Sequence, residues 1–435
     1  MTLQAPSAHD RNLPGLASLN LPPMFISEHC LRTLFYHGPL SPVELAAHWR
    51  VPQDVAVEVI ESMKGAGLVE PDAGQTTFER HARVRMTTAG QAQVAQARQR
   101  TWYAGPMPVS AGAFADGVAA MAPAPPDAAT LRAALGELSI DESQADELGQ
   151  AASGSDVVLV TGAAPDEQAA VAQAVGSALP GETSLPFAIF AAGAVLRLFD
   201  PQRHHLAPSD AAHDDALDVM RQHRDAASPW IAVRRPVVTL AGGVRASDVT
   251  PAYDEDARFY LAPPPLSAFG GLLAVFDADA DPVQLAELAR LWLLPGKQGI
   301  GVVLVRSGER IEVPWRATTL VFATDVEALG AAGAAAPYRV DIAALGPAAL
   351  RGVLSTRLRA LAPGEGFIER LAEALADAGV ETRVAAARAA RYLLDLAAYE
   401  GAPHGLDTAV GRAVAYAEGA PQRPAAGARR PRRAA

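Results

Sequence analysis

The chain has 435 residues, enough for two to four domains that each bury a core of their own. Half of them are hydrophobic and 20% are charged, an ordinary globular balance, and the net charge of −11 argues against a polyanion binder by bulk electrostatics. The one cysteine, Cys30, excludes an intramolecular disulfide and a cysteine-based zinc cluster, and its apolar helical surroundings predict a buried structural thiol. Met1 to Gly15 has no apolar core of a secretory signal. The longest apolar run, Phe187 to Leu196, falls short of the roughly 20 residues of a membrane span. The expectation is a cytoplasmic protein with no membrane partner.

Residues 1–23 are Pro-rich and predict disorder. From Phe25 the apolar spacing becomes helical, with Ile26, Leu31, Leu34 and Phe35 able to share one face, and the segment stops at Gly38. Ser41-Pro-Val-Glu44 has capping-box spacing with proline at the first helical position, and starts a second helix. Val55 to Ala66 reads as a third, with Val55, Val59, Ile60 and Met63 inward. Leu68 to Pro71 reads as a strand, with Ala82 to Thr87 as its partner. Three helices followed by a two-stranded wing is the winged helix-turn-helix arrangement, assigned to residues 24–103. DNA binding would need cations on the third helix to meet phosphate and guanine. That helix carries Asp54, Glu58 and Glu61 against Lys64, while the wing offers Arg80, Arg83 and Arg85, and His48 and Arg50 flank the turn. A protein-docking or dimerising role fits the module better than DNA binding.

Residues 104–127 are rich in Ala, Pro and Gly and read as a linker. Ala128 to Leu148 is helical, and Val157 to Val160 is fully apolar, as expected for a parallel strand covered on both faces. One hairpin is expected from Phe187–Ala191 and Ala194–Phe199 around Gly193, another from Ile231–Val233 and Val237–Leu240 around Arg234-Arg-Pro236. Gly271 to Phe276 is a second buried strand ending in Asp277, and Pro282 to Leu294 an amphipathic helix. Gly301–Arg306 and Arg310–Val313 pair around Ser307-Gly308-Glu309, and Thr319 to Ala323 is a third buried strand. These elements place an α/β core at 128–345. Helical segments near 343–362, 364–378, 381–399 and 405–417 predict a C-terminal helical lid, 346–417. Residues 418–435, with Arg423, Arg429, Arg430, Arg432 and Arg433, read as a disordered basic tail.

The turn after the first buried strand has the outline of a phosphate-binding loop: strand, glycine turn, apolar-faced helix. Such a loop reads G-x-x-x-x-G-K-[ST], where backbone N–H groups cradle phosphates, Lys reaches the β/γ-phosphates and a hydroxyl holds Mg²⁺. Here the frame begins at Gly162, but Glu167 stands at the second glycine, Gln168 at the lysine and Ala169 at the hydroxyl. Lysine occurs only at Lys64 and Lys297, so no shift of register restores it.

Several further stretches carry a family resemblance. They are Trp102-Tyr-Ala-Gly-Pro106, Val195-Leu-Arg-Leu-Phe-Asp-Pro201, Trp230-Ile-Ala-Val-Arg-Arg-Pro-Val237 and Phe259-Tyr-Leu-Ala-Pro263. Gly270-Gly-Leu-Leu-Ala-Val-Phe-Asp277, Leu291-Trp-Leu-Leu-Pro295 and Ile311-Glu-Val-Pro314 follow. In order and spacing, over roughly residues 25 to 345, the chain resembles bacterial AAA+ ATPases with an N-terminal winged helix and a MoxR-like or chaperone-like core. The resemblance implies a P-loop NTPase fold of three layers, in which the strands' carboxyl ends carry the loop, an acidic Mg²⁺ site and a polar sensor.

The departures fall on the catalytic parts. Similar active proteins have a loop like G-P-P-G-N-G-K-T, where this chain has Gly162 to Ala169. The acidic pair implied by the resemblance is reduced to Phe276-Asp277, the sensor position falls at Asp325, and the arginine-finger region is Gly330-Ala-Ala-Gly-Ala-Ala-Ala336. Two unit charges about 4 Å apart interact by ~4 kcal/mol at an effective dielectric of ~20, against roughly 0.3–2 kcal/mol offered to an anion by a helix N-terminus. Asp166 and Glu167 would therefore repel a triphosphate with no lysine to offset them. Asp166 is expected as the helix N-cap, occupying donors that would otherwise hold phosphate.

Other constellations are weaker. Asp277-Ala-Asp279-Ala-Asp281 opens like a calcium loop, but Pro282 replaces the turn glycine and Leu288 the twelfth-position Glu. His204, His205, His213 and His223, with Asp210, Asp214, Asp215 and Asp218, lack zinc spacing and read as a solvated insertion. The expectation is a non-hydrolysing AAA+-like scaffold, adaptor or passive subunit, without catalytic or metal-ligating residues. ATP and Mg²⁺ would enter only if the loop were still competent. A protein would dock on the winged helix, with the chain self-associating or assembling beside an active paralogue. A divergent ATP-binding chaperone and a winged-helix DNA-binding regulator are the alternatives.

Overall fold

A computed structural model describes residues 15–72, 82–121, 125–153, 157–207, 227–242, 244–342, 345–364, 366–379, 382–400 and 406–418. The expectations for residues 1–14 and 419–435, for Arg80, and for His213, His223 and the acids at 210–218 lie outside these residues. The protein is a mixed α/β structure built on a parallel five-stranded sheet.

The sheet contains β1 (Val157–Thr161), β2 (Val237–Leu240), β3 (Leu272–Val275), β4 (Thr318–Phe322) and β5 (Tyr338–Asp341), in the spatial order β5-β1-β4-β3-β2. Thr319 lies opposite Val157, Leu272 opposite Thr318 and opposite Val237, and Tyr338 opposite Val158. The three middle strands are buried at every position, whereas β2 and β5 expose Val237, Thr239, Tyr338, Arg339 and Asp341. That contrast is what parallel pairing requires, since helices cover both faces and only the edges meet water. Val158, Val160, Leu272, Ala274, Leu320 and Phe322 face one way, into a core with Leu131, Leu135, Leu148, Val171 and Val175. Those partners come from helices at Ala128–Glu137, Glu142–Ser153 and Pro165–Ala178. Val157, Leu159, Leu273, Val275 and Val321 face the other way, onto Leu285, Leu288, Leu291 and Trp292. The amphipathic stretch supplying these continues from Pro282–Leu288 into a π-helical turn at Ala289–Leu293.

Two hairpins occur as expected. Ala188–Ala191 pairs antiparallel with Ala194–Arg197, across Ala192 and Gly193, both at positive φ, and Ile300–Leu304 pairs with Arg310–Pro314. The third does not form. Trp230–Arg234 instead pairs antiparallel with Glu182–Pro186, and Val237–Leu240 crosses to lie parallel to β3.

Near the N-terminus, helices at Pro23–His37, Pro42–Trp49 and Gln53–Gly65 precede an antiparallel pair, Val69–Pro71 with Val84–Met86, and a helix at Thr88–Arg100. The expected capping box is present: Glu44 N–H donates to Ser41 Oγ at 3.3 Å and Ser41 N–H to Glu44 Oε2 at 2.8 Å. Cys30 is buried, and burial pushes its thiol up to about 12. The stretch expected as a linker carries a strand at Val109–Ser110 and a helix at Ala111–Ala119, with Met107, Phe114 and Val118 buried. Ala128–Leu148 is two helices rather than one, broken where Ser139 takes a positive φ. Four helices at Pro347–Leu358, Phe367–Asp377, Arg383–Glu400 and Leu406–Ala417 close the chain around a hydrophobic cluster of their own, including Leu354, Phe367, Leu371, Leu375 and Leu393. Among the described residues no helix is long and apolar enough to cross a membrane.

Candidate functional site

The carboxyl ends of β1, β4 and β3 lie side by side and carry the residues singled out from the sequence. Gly162 follows β1, Asp325 follows β4 and Asp277 follows β3. The helix after Gly162 begins with Pro165, and its N-cap is Ala164. This corrects the expectation for Asp166, which sits one turn position inside the helix and caps nothing on it. Its carboxylate reaches away from the loop and accepts the Thr382 hydroxyl at 2.8 Å.

The carboxylate over the helix N-terminus is Glu167. Its Oε2 accepts the Ala164 N–H at 3.2 Å, and its Oε1 accepts the backbone N–H of Arg383 at 2.7 Å. The Arg383 guanidinium lies 3.4 and 3.5 Å from the same two oxygens. Arg383 is the first residue of helix Arg383–Glu400, and Thr382 caps that helix by accepting the Ala385 N–H at 3.1 Å. The N-termini of two helices thus converge on one carboxylate, where the positive ends of both macrodipoles favour an anion. Glu167 is 4% exposed and Arg383 5%, so the pair is buried. A buried pair of this kind is costly to break from one side, because the remaining charge keeps its desolvation penalty.

Gln168 points the other way. Its Nε2 donates to Asp277 Oδ1 at 3.1 Å, and its Oε1 accepts the Asp277 N–H at 3.1 Å. Gln168 therefore ties Asp277 through both ends of its amide. Asp277 takes a left-handed φ of 48°. Ala169 continues the helix and offers no hydroxyl.

Asp325 does not face this cluster as an acceptor. Its Oδ1 takes the N–H groups of Glu327 at 2.9 Å and Ala328 at 3.3 Å, capping the turn that follows. Its own N–H, with that of Thr324, donates to Asp279 Oδ2 at 2.7 and 3.1 Å. Burial raises the Asp279 carboxyl, but the Asp325 and Thr324 donors outweigh it and hold the group below the usual carboxylate range. Asp281 Oδ1 caps the next helix by accepting the Gln284 N–H at 3.1 Å. The three acids of the calcium-like run are thus directed to three different partners. Among the described residues no three His, Cys, Asp or Glu side chains gather where a metal could sit.

Gly162 holds φ at +79°, and a Cβ there would lie 2.2 Å from the Ile342 carbonyl oxygen. The Ile342 N–H donates to the Thr161 carbonyl at 2.8 Å and the Thr161 hydroxyl to Asp341 Oδ1 at 2.7 Å, so the end of β5 presses on the turn. A backbone contact therefore accounts for glycine at 162.

Elsewhere, His204 is buried, unlike the solvated residue expected. Its Nε2–H donates to the Ser267 carbonyl at 2.8 Å while Nδ1 accepts the Asp200 N–H at 2.9 Å, and burial lowers its basicity. In the N-terminal helices Lys64 pairs with Glu61 at 2.8 Å and Arg85 with Glu70 at 2.9 Å, while Arg83 pairs with Glu44. Arg383 was not foreseen from the sequence; Thr382 followed by a long helical run marks a helix start, but nothing local points to residue 167. No protein-family model matches the chain, and no curated protein matches it.

Proposed function

We propose that the chain is an AAA+-like member of the P-loop NTPase class whose nucleotide loop is filled by its own side chains, and that it acts as a non-hydrolysing scaffold or adaptor. The observation carrying this reading is the double engagement of the loop: Glu167 takes N–H groups from Ala164 and Arg383, and Gln168 takes both ends of Asp277. The strand order supports it, because β4 lies between β1 and β3 and brings Gly162, Asp325 and Asp277 to one edge of the sheet, where such a fold would carry its loop, sensor and acid. A triphosphate entering the loop would have to displace a buried carboxylate from its guanidinium, at a cost of roughly 3–5 kcal/mol, before meeting any lysine.

In this reading the N-terminal winged helix docks a protein. The engagement of Lys64, Arg83 and Arg85 with carboxylates favours that over phosphate binding, since each cation would have to leave an acid first. Isothermal titration with MgATP and MgADP is the test. The expected result is a Kd weaker than about 1 mM, or ~4 kcal/mol of binding free energy. Low-micromolar affinity, about 8 kcal/mol, would favour the divergent ATPase instead.

A further inference from the structure

The C-terminal helices have their own hydrophobic cluster, from Leu345 to Ala417, distinct from the two clusters that sandwich the central sheet. Polar contacts join them to the sheet-bearing part. Arg357 donates to the Glu137 carbonyl, Thr382 to Asp166, and Arg383 to Glu167 through backbone and guanidinium. Two of the three acceptors, Asp166 and Glu167, are neighbours in the first turn of the helix after Gly162.

We propose that Glu167 is a built-in ligand that clamps the C-terminal helices to the central sheet, its carboxylate occupying an oxyanion site shared by the N-termini of helices Pro165–Ala178 and Arg383–Glu400. The site is built from groups of both parts: the Ala164 N–H on one side, and the Arg383 N–H and guanidinium on the other. Neither part completes it alone. An anion bound there bridges the two, and a covalently attached carboxylate bridges them permanently, so the closed arrangement does not depend on any dissolved ligand. Asp166 adds a second tether beside it through the Thr382 hydroxyl, which at the same time caps the second helix. Gln168 lies on the same helix but engages Asp277 on the sheet, and so takes no part in the clamp.

The inference goes beyond the nucleotide reading and has a separate readout, because it concerns the seating of the C-terminal helices whether or not nucleotide binds. Amide hydrogen exchange on the full-length chain tests it, comparing wild type with E167A and with Q173A, an exposed position, as the control on the same helix. The amides of Arg383, Ala385 and Ala386 report the start of the clamped helix. E167A should speed their exchange roughly ten- to hundredfold, the range expected for losing hydrogen bonds to a charged group, while Q173A leaves them unchanged. Unchanged protection in E167A overturns the proposal, and so does equal loosening in Q173A, which would mean general disruption of the helix. Should E167A not fold, E167Q keeps the shape and an acceptor oxygen but removes the charge; a smaller acceleration at the same amides is expected, and none overturns the clamp. Tight MgATP binding by wild type would remove the nucleotide reading while leaving these exchange results to stand or fall separately.

Discussion

Replacing Gly162 with alanine tests whether this glycine serves backbone packing. Two costs add. An L-residue held in the left-handed region costs about 1–2 kcal/mol. The new Cβ would also lie 2.2 Å from the Ile342 carbonyl oxygen and 3.1 Å from Asp341 Oδ1. The first of these is main chain and cannot swing aside. Relief requires moving Ile342, whose N–H holds the Thr161 carbonyl at 2.8 Å, and loosening that bond costs about 0.5–1.5 kcal/mol more. The total is ~1.5–3.5 kcal/mol, which for a unit of 150–250 residues lowers the melting temperature by roughly 3–14 °C. Gly308 supplies the control: its φ is +82° in the turn before Arg310–Pro314, but nothing lies within 4 Å of its Cβ position. Gly308→Ala should therefore show the backbone cost alone. Differential scanning calorimetry of the two variants makes the comparison. Equal shifts, or a Gly162→Ala shift below about 2 °C, would refute the contact as the reason for the glycine.

Two further outcomes follow from the packing. Gln168→Leu removes both partners of Asp277 in the loop, leaving its N–H and one carboxylate oxygen to find others beside a 5%-exposed site. Urea denaturation should show a loss of about 1–3 kcal/mol, and an unchanged midpoint would show that the amide bridge is not stabilising. His29 contributes to acid sensitivity. It is fully buried, its Nε2–H donates to the Gly105 carbonyl at 3.0 Å, and burial together with the nearby Arg32 lowers its pKa from 6.5 to about 3. Between those values the unfolded chain binds a proton that the folded chain does not, so stability falls as pH drops below about 6.5, by about 1.4 kcal/mol per pH unit. Acid titrations of wild type and His29→Gln should differ in slope within that window, and parallel curves would contradict the buried neutral imidazole.

Much of the fold was legible because it rests on local signals. Strands β1, β3 and β4 are built on the apolar runs Val157–Val160, Leu272–Val275 and Leu320–Phe322, and the capping box at Ser41–Glu44 marked its helix. What failed was non-local. Trp230–Arg234 and Val237–Leu240 sit close in sequence and look like a hairpin, but an edge strand alternates in the same way whether its partner is parallel or antiparallel. The supposed linker misled through its glycines. Gly117 packs where a Cβ would lie 2.6 Å from the Trp230 ring, so its smallness serves close approach rather than flexibility. The positions of Asp277 and Asp325 at strand ends were readable, but their hydrogen-bond partners were not.

The misassigned carboxylate at the loop is more instructive, because the signal was present. Ser41-Pro-Val-Glu44 carries the signal in full: cap, proline at the first helical position and glutamate at the third. Ala164-Pro-Asp-Glu167 has the same spacing, and only the missing hydroxyl at Ala164 hid it. Proline's fixed φ sets the frame, so the acid three residues after the cap, and not the one two after it, folds back over the helix start. The two neighbouring residues at 167 and 168 then serve different partners. Glutamate at 167 places a buried anion between two helix N-termini and therefore needs Arg383, 216 residues away, to offset its desolvation. At 168 a neutral glutamine both gives to and takes from Asp277, which a lysine, a donor only, could not do.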